Sequence, residues 1–410
     1  MNIVILNDFG FVSGGAASVA ISSAKGLAAR GHRVIFFTAV GPIDPSLRAS
    51  GVEVIDTEQH EIRADTTRFA AQRQMTWNFD AARVLHRRLS DLDHRRTIIH
   101  LHGWTKALSS SVARAGASRN FRLVCTLHDY AVACPRGSFF DRTSMDHCQR
   151  RPLSLACVAS DCDGGGNLTL KLFRTLRHTT QRTIGRIPAR IDAFVAVSRF
   201  SRAIIEPHLP AQCVVCEIPN PIGIEQGEPT DVARNRVFLM VGRLTVEKGA
   251  ILLARAAREC DVPVVFAGDG PCRFDIVSAN PAAKITGWLS RVEVQEQLRH
   301  ARALIFPSLW HEMHGLVVPE AAALGVPAVV SDTSAAIESV RDGVTGFLFR
   351  NGDLASLKTA LLRLSDDTLA GRLGTACYQA YWDAPPTLER HVESLEELYQ
   401  TVLSRPPGGQ

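Results

Sequence analysis

The sequence predicts an α/β protein built from two doubly wound domains, each a parallel sheet covered by helices. Three observations carry that expectation. Short apolar runs recur through both halves, each followed by a helix-like segment. The runs are apolar throughout and not at every second position, the pattern of strands buried on both faces, and therefore of parallel sheets with helices on each side. The chain has 410 residues, enough for two or three domains of ordinary size.

Taken in order, the first half offers strands at 2–6 (NIVIL), 33–37, 97–101 (TIIHL), 121–127 and 192–197. The second half offers them at 237–241 (VFLMV), 262–267, 301–306 and 326–331. Between the halves, Pro219, Pro221 and Pro229 interrupt the polar stretch 217–236 before the strong run at Val237, which places the linker there. The expected domains are 1–218 and 219–384. After Pro385 and Pro386, residues 387–403 read as a terminal helix with Leu388, Val392, Leu395, Leu398 and Val402 on one face. The segment 385–410 is expected to return to the N-terminal domain.

A content of 46% hydrophobic and 21% charged residues is that of a globular protein. No apolar run approaches the roughly 18 residues that cross a bilayer, and the chain enters its first strand without a basic leader and apolar core. The cytoplasm is the expected compartment. Charge is uneven: residues 1–220 hold 28 Lys and Arg against 18 Asp and Glu, and the remainder holds 18 against 23. A basic half suits nucleic acid, an anionic membrane surface or a phosphorylated ligand, and composition does not choose among them.

The most informative stretch is 304–332, LIFPSLWHEMHGLVVPEAAALGVPAVVSD, a buried-type strand leading through a loop into a short helix and a further strand. With a helix beginning near Gly315, Glu312 lies in the loop before it and Glu320 more than one turn inside. One carboxylate can meet a sugar and the other a ribose. Taken alone, the pair reads equally well as a solvated helix residue and a charge favoured by the helix dipole. The segment VGRLTVEKG adds Arg243 and Lys248 just beyond the first strand of this half, where open α/β sheets bind ligands. Two cations there can neutralise a diphosphate.

With these motifs in place the chain resembles a family 4 glycosyltransferase of the GT-B fold. GRL followed by Lys248 and Gly249, AGDGP at 267–271, TGWLS at 286–290 and the Glu-x7-Glu pattern occur in the family's order. In the first half, Gly14 and Gly15 follow strand one, His100 precedes the LHG of 101–103, LHDY occupies 127–130 and AVSRF 196–200. The resemblance implies two Rossmann-like domains facing across a cleft and transfer of a sugar from a UDP or GDP donor to a saccharide or lipid-linked hydroxyl. Anomeric configuration would be retained, no metal cofactor would be required, and the setting would be bacterial polysaccharide or glycolipid synthesis, with no nucleic-acid partner.

Carried over by residue, the resemblance implies that Gly242, Arg243 and Lys248 meet the donor diphosphate and Glu320 the ribose. Glu312, Gly315 and Leu316 would meet sugar and phosphate, and Trp288 and Leu289 the base. His128 would reach the transferred sugar, giving a catalytic set of His128, Glu312, Arg243 and Lys248, and Gly14 with Gly15 would form the acceptor loop. His102 reads either as a site residue or as a structural histidine. Met313 and His314 replace the family's usual Gly-Phe pair, which bears on sugar preference. Other readings are an epimerase or phosphorylase of this architecture, or a non-catalytic nucleotide-sugar binder. FGFVSGG lacks the dinucleotide-binding spacing.

Two segments stand outside this pattern. Cys134, Cys148, Cys157 and Cys162, spaced C-x13-C-x8-C-x4-C in an insertion at about 131–165, read as a structural zinc site, with His147 as a substitute ligand, as free thiols, or as disulfides. Residues 168–191 carry Lys171, Arg174, Arg177, Arg182, Arg186 and Arg190 with no acidic residue. They read as a basic amphipathic helix on an anionic membrane, or as a helix packed on the N-terminal sheet.

Overall fold

The computed structural model describes residues 1–59 and 68–405. In chain order its strands are β1 (Asn2–Phe9), β2 (Arg33–Val40), β3 (Glu53–Asp56), β4 (Thr97–Gly103), β5 (Arg122–Leu127), β6 (Phe140–Asp141), β7 (Asp146–His147), β8 (Ala193–Ala196) and β9 (Val214–Glu217). There follow β10 (Val237–Val241), β11 (Val264–Ala267), β12 (Lys284–Gly287), β13 (Ala301–Phe306), β14 (Ala328–Ser331) and β15 (Gly346–Phe349). The chain divides into two units, the second comprising Phe140–Cys148 and Ile222–Pro385 and the first the rest.

The first unit holds a seven-stranded sheet in the order β3-β2-β1-β4-β5-β8-β9, and the second a six-stranded sheet in the order β12-β11-β10-β13-β14-β15. Every pairing in both sheets is parallel. The reason lies in the runs themselves: Ile3 to Leu6 and Val34 to Phe37 are buried without interruption, so helices must cover both faces. Each such side chain contributes about 1.5–3 kcal/mol on leaving water. The order reverses beside the first strand of each sheet, between β1 and β4 and between β10 and β13, which opens a crevice at the carboxyl ends there.

The terminal helix Leu388–Ser404 buries Val392, Leu395, Leu398, Tyr399 and Val402 in the first unit. It approaches the helix Gly15–Ala29 so closely that a Cβ on Gly26 would lie 2.6 Å from Val392 Cγ2. Polar bonds fix it further: His391 Nε2 lies 2.9 Å from Ser23 Oγ, and the Tyr399 hydroxyl 2.6 Å from His100 Nδ1.

Two expectations need correction. The insertion does not stay with the first domain, because its hairpin, β6 paired antiparallel with β7, clusters with the second unit. The basic segment is helical only over Leu168–Thr183, and its polar side faces inward. Lys171 is buried, Arg174 pairs with Asp163, and Arg177 donates to the carbonyls of Thr105 and Pro135 at 3.3 and 3.1 Å. Leu168, Leu172 and Leu176 are 75%, 63% and 59% exposed, the reverse of an ordinary amphipathic packing.

Candidate functional site

In the second unit the residues singled out from the sequence gather where β10 and β13 end. Beyond β10 come Gly242 and the exposed Arg243, and a single 3-10 turn, Val246–Lys248, presents Lys248. Gly249 closes that turn at φ 71°. A Cβ there would stand 1.9 Å from the Pro307 carbonyl oxygen, so glycine is what lets this turn lie against the loop after β13.

The contact of the two loops brings Lys248 Nζ onto the Glu312 carboxylate. Glu312 Oε2 also accepts from Ser308 Oγ at 3.2 Å and from Trp310 Nε1 at 2.9 Å. The Lys248 ammonium lies 5.8 Å from the Phe306 ring centre and 5.6 Å from that of Trp310, within cation–π range. Gly315, at φ 75°, packs on the Phe306 ring. Leu316 caps the helix Val317–Ala323, which carries Glu320 in its first turn. Burial raises the Glu320 carboxyl, and Arg291, with Nη2 at 3.8 Å, draws it back.

Around this centre, Trp288 is 67% exposed beyond β12, free to stack on a planar group, while Leu289 packs on the core. Met313 is buried. Burial pushes His314 down to about 4, so its ring is neutral, and Nδ1 finds no hydrogen-bond partner among the described residues.

The first unit has its own crevice at the ends of β1, β4 and β5, lined by Asp8, Ser13, His102, Lys106, His128 and Asp129 among others. His102 Nδ1 lies 3.0 Å from His128 Nε2. His102 is buried and held well below the ordinary histidine range by that burial, and its Nε2 has no hydrogen-bond partner among the described residues. Ser13, Ala16 and Ala17, on either side of Gly14 and Gly15 in the sequence, line the crevice, and a Cβ on Gly14 would meet nothing within 4 Å.

Asp8 and Lys106 escaped the sequence reading. Asp8 accepts from the backbone N–H groups of Lys106, Ala107 and Leu108 at 2.9, 2.8 and 2.8 Å and so shapes the loop beyond β4. Burial raises its carboxyl and those three donors oppose the rise. The available signal was an acidic residue one position from the end of a strand whose middle, Ile3 to Leu6, is apolar.

Cys134, Cys157 and Cys162 belong to the first unit and Cys148 to the second, and no disulfide joins any of them. Among the described residues no group of three or more His, Cys, Asp or Glu is arranged as metal ligands. Nor is any helix among them long and apolar enough to cross a membrane.

Comparison with known proteins finds a glycosyltransferase profile in each half of the chain. The Glycosyltransferase Family 4 profile matches residues 13–226 and the Glycosyl transferases group 1 profile residues 235–367. The UDP-Gal:alpha-D-GlcNAc-diphosphoundecaprenol alpha-1,3-galactosyltransferase of Escherichia coli is 27% identical over 208 residues, 44% of this chain and 53% of that protein. The phosphatidyl-myo-inositol mannosyltransferase of Mycobacterium leprae is 30% identical over 233 residues, 52% and 59% of the two chains. The chain thus spans little more than half the length of these curated relatives. Among solved structures, Anabaena HepE in complex with UDP and glucose superposes with a TM-score of 0.69 at 18% identity, covering 98% of this chain and 100% of that one. At that identity the likeness concerns the fold.

Proposed function

The chain belongs to glycosyltransferase family 4, and from that premise we propose that it transfers a sugar, with retention, from a UDP- or GDP-sugar to a hydroxyl of a saccharide or lipid-linked acceptor. The observation that carries the reading is the meeting of Lys248 with Glu312 beside the exposed Arg243, at the switch point of the second sheet. Breaking the sugar–phosphate bond leaves negative charge on the diphosphate. Lys248 and Arg243 stabilise that charge as it develops, electrostatic help worth several kcal/mol in such sites. The protein's own cations thus take the part that a metal ion plays elsewhere, and transfer needs no metal cofactor.

The remaining roles are those that the family resemblance assigns. Glu320 takes the ribose hydroxyls, Trp288 and Leu289 border the base, and Glu312 with the backbone at Gly242, Gly315 and Leu316 meets sugar and phosphate. His128, held by His102, reaches the transferred sugar, and Gly14 and Gly15 border the acceptor. The leaving phosphate assists the acceptor hydroxyl from the same face, so no protein nucleophile is used. The names of the E. coli and mycobacterial relatives specify lipid-linked acceptors, which supports an acceptor of that kind and a bacterial glycolipid or polysaccharide product. It also supports action at an anionic membrane surface.

A thermal-shift screen against UDP, GDP and their sugars tests the reading, since a ligand bound only by the folded state raises the melting temperature. One nucleotide series is expected to stabilise the protein, and its sugar to be turned over to free nucleoside diphosphate once an acceptor is added. Failure of every nucleotide to shift the melt overturns it.

A further inference from the structure

We propose that Arg142, carried on the insertion hairpin, is a positioning residue for the donor site: it neutralises Glu247 and so leaves Lys248 to Glu312 and to the donor diphosphate. The inference rests on the donor-site reading above and adds to it a residue outside the recognised motifs.

The problem it solves is written in the sequence VEKG, which sets an acidic residue immediately before the phosphate-binding lysine. An unpaired carboxylate there would compete for the Lys248 ammonium and repel an arriving diphosphate. In the structure Glu247 is already engaged: its Oε2 accepts from Arg142 Nη2 at 2.6 Å and from Nε at 3.2 Å. The two side chains are 34% and 21% exposed, so the pair is only partly screened by water.

Arg142 is held to this task by the hairpin. It sits in the turn between β6 and β7, where Asp141 Oδ1 accepts from the N–H of Thr143 at 2.9 Å and, more weakly, from that of Ser144 at 3.4 Å. Phe140 is buried beside it. At the other end of the hairpin His147 stacks on His311, with ring centres 3.6 Å apart and planes 10° from parallel. Burial lowers both histidines, His311 to about 4, so two neutral rings meet without charge repulsion. His311 Nδ1 lies 3.2 Å from the Thr333 carbonyl oxygen.

Glu247 is also where the two donor loops join, because its carbonyl accepts from the Leu309 N–H at 2.8 Å. The hairpin therefore touches the Lys248 turn through Arg142 and the Glu312 loop through His147. An insertion that departs from the first unit supplies the second with the charge that masks Glu247.

A double-mutant cycle tests the proposal. UDP and GDP binding is measured calorimetrically at low salt for the unmutated protein, Arg142→Ala, Glu247→Gln and the double variant. Arg142→Ala is expected to weaken binding about tenfold, the size of one partly screened charge near the phosphates. Glu247→Gln should bind at least as well as the unmutated protein, and in the double variant affinity should return to within about threefold. Donor KM should follow these affinities while kcat changes little, and the effect should shrink in high salt. If Arg142 only fastens the hairpin, Glu247→Gln and the double variant lose as much as Arg142→Ala, which overturns the proposal, as does equal affinity in all four. Should Arg142→Ala not fold, Glu247→Gln alone decides, since loss of affinity there contradicts masking. Absence of UDP and GDP binding in the unmutated protein removes the donor-site reading and this inference with it.

Discussion

Replacing Lys248 by Met keeps most of the side-chain stem and removes the ammonium, which separates the charge from the packing. The structure sets two magnitudes. For stability, the Lys248–Glu312 pair is 24% and 15% exposed, between surface pairs worth about 0–1 kcal/mol and buried pairs whose rupture costs about 3–5. Glu312 keeps its bonds from Ser308 and Trp310, so the cost is placed at about 1–2 kcal/mol, a fall of a few degrees in melting temperature. For activity, loss of a preorganised donor to the developing anion costs about 10²–10³ in rate, or roughly 2.7–4 kcal/mol. The assay is release of nucleoside diphosphate from the donor well below the melting temperature, with the folded fraction measured on the same sample. Lys248→Arg should retain more activity than Lys248→Met. A folded Lys248→Met protein within about threefold of the original kcat/KM would refute the assignment.

The other expected outcomes concern pH, metal and membrane. His100 and His178 are fully buried and pushed down to about 3 by burial. The unfolded chain therefore binds more protons than the folded one below the ordinary value of 6.5, and stability falls as pH drops from 6.5 towards 3. Each costs about 2 kcal/mol by pH 5, so His178→Gln should flatten the dependence of melting temperature on pH; an unchanged slope contradicts this. For the insertion, elemental analysis of protein purified without added metal decides the zinc reading: about one equivalent supports it, and less than about a tenth of an equivalent ends it. At the membrane, binding to anionic vesicles should weaken with salt and be lost in Leu172→Glu with Leu176→Glu or in Arg182→Glu with Arg186→Glu. Equal binding to neutral vesicles, or none to either, removes the membrane from the proposal.

What the sequence revealed and what it hid divide along physical lines. β1, β2, β4, β10 and β13 were legible because central strands of a parallel sheet are buried on both faces and write unbroken apolar runs. β3 (EVID), β9 (VVCE) and β12 (KITG) were not, because they are four-residue edge strands only partly covered, too short to write a run that stands out from their surroundings. At the candidate site, Lys248 and Gly249 stood out through their place after the first strand of the half and the family resemblance, and the structure adds the reason for the glycine: only it admits the backbone approach to Pro307. The Arg142–Glu247 pair left no mark, since its members are 105 positions apart and each alone looks like a surface charge. Asp8 was hidden for another reason: its partners are backbone N–H groups, and any residue except proline supplies those.

The helix Leu168–Thr183 shows that periodicity identifies two faces without saying which one the protein covers. Its leucines recur every fourth residue, which ordinarily marks the inward side. Here the neighbouring structure is the irregular insertion, whose carbonyls and side-chain acceptors have few strand or helix partners, and buried acceptors left unpaired are costly. The polar face supplies the donors. Lys171 Nζ lies 3.2 Å from Cys162 Sγ, Arg174 takes Asp163, and Gln181 Nε2 donates to the Ala131 carbonyl at 3.0 Å. Arg177, its guanidinium pKa lowered by burial, donates to Thr105 and Pro135. Satisfying that backbone turns the cations inward and leaves Leu168, Leu172 and Leu176 outside, with Arg182 and Arg186 exposed. The apolar surface proposed to meet lipid is thus a consequence of how the insertion is held together, and it is the leucines, with the two outward arginines, that a membrane test must alter.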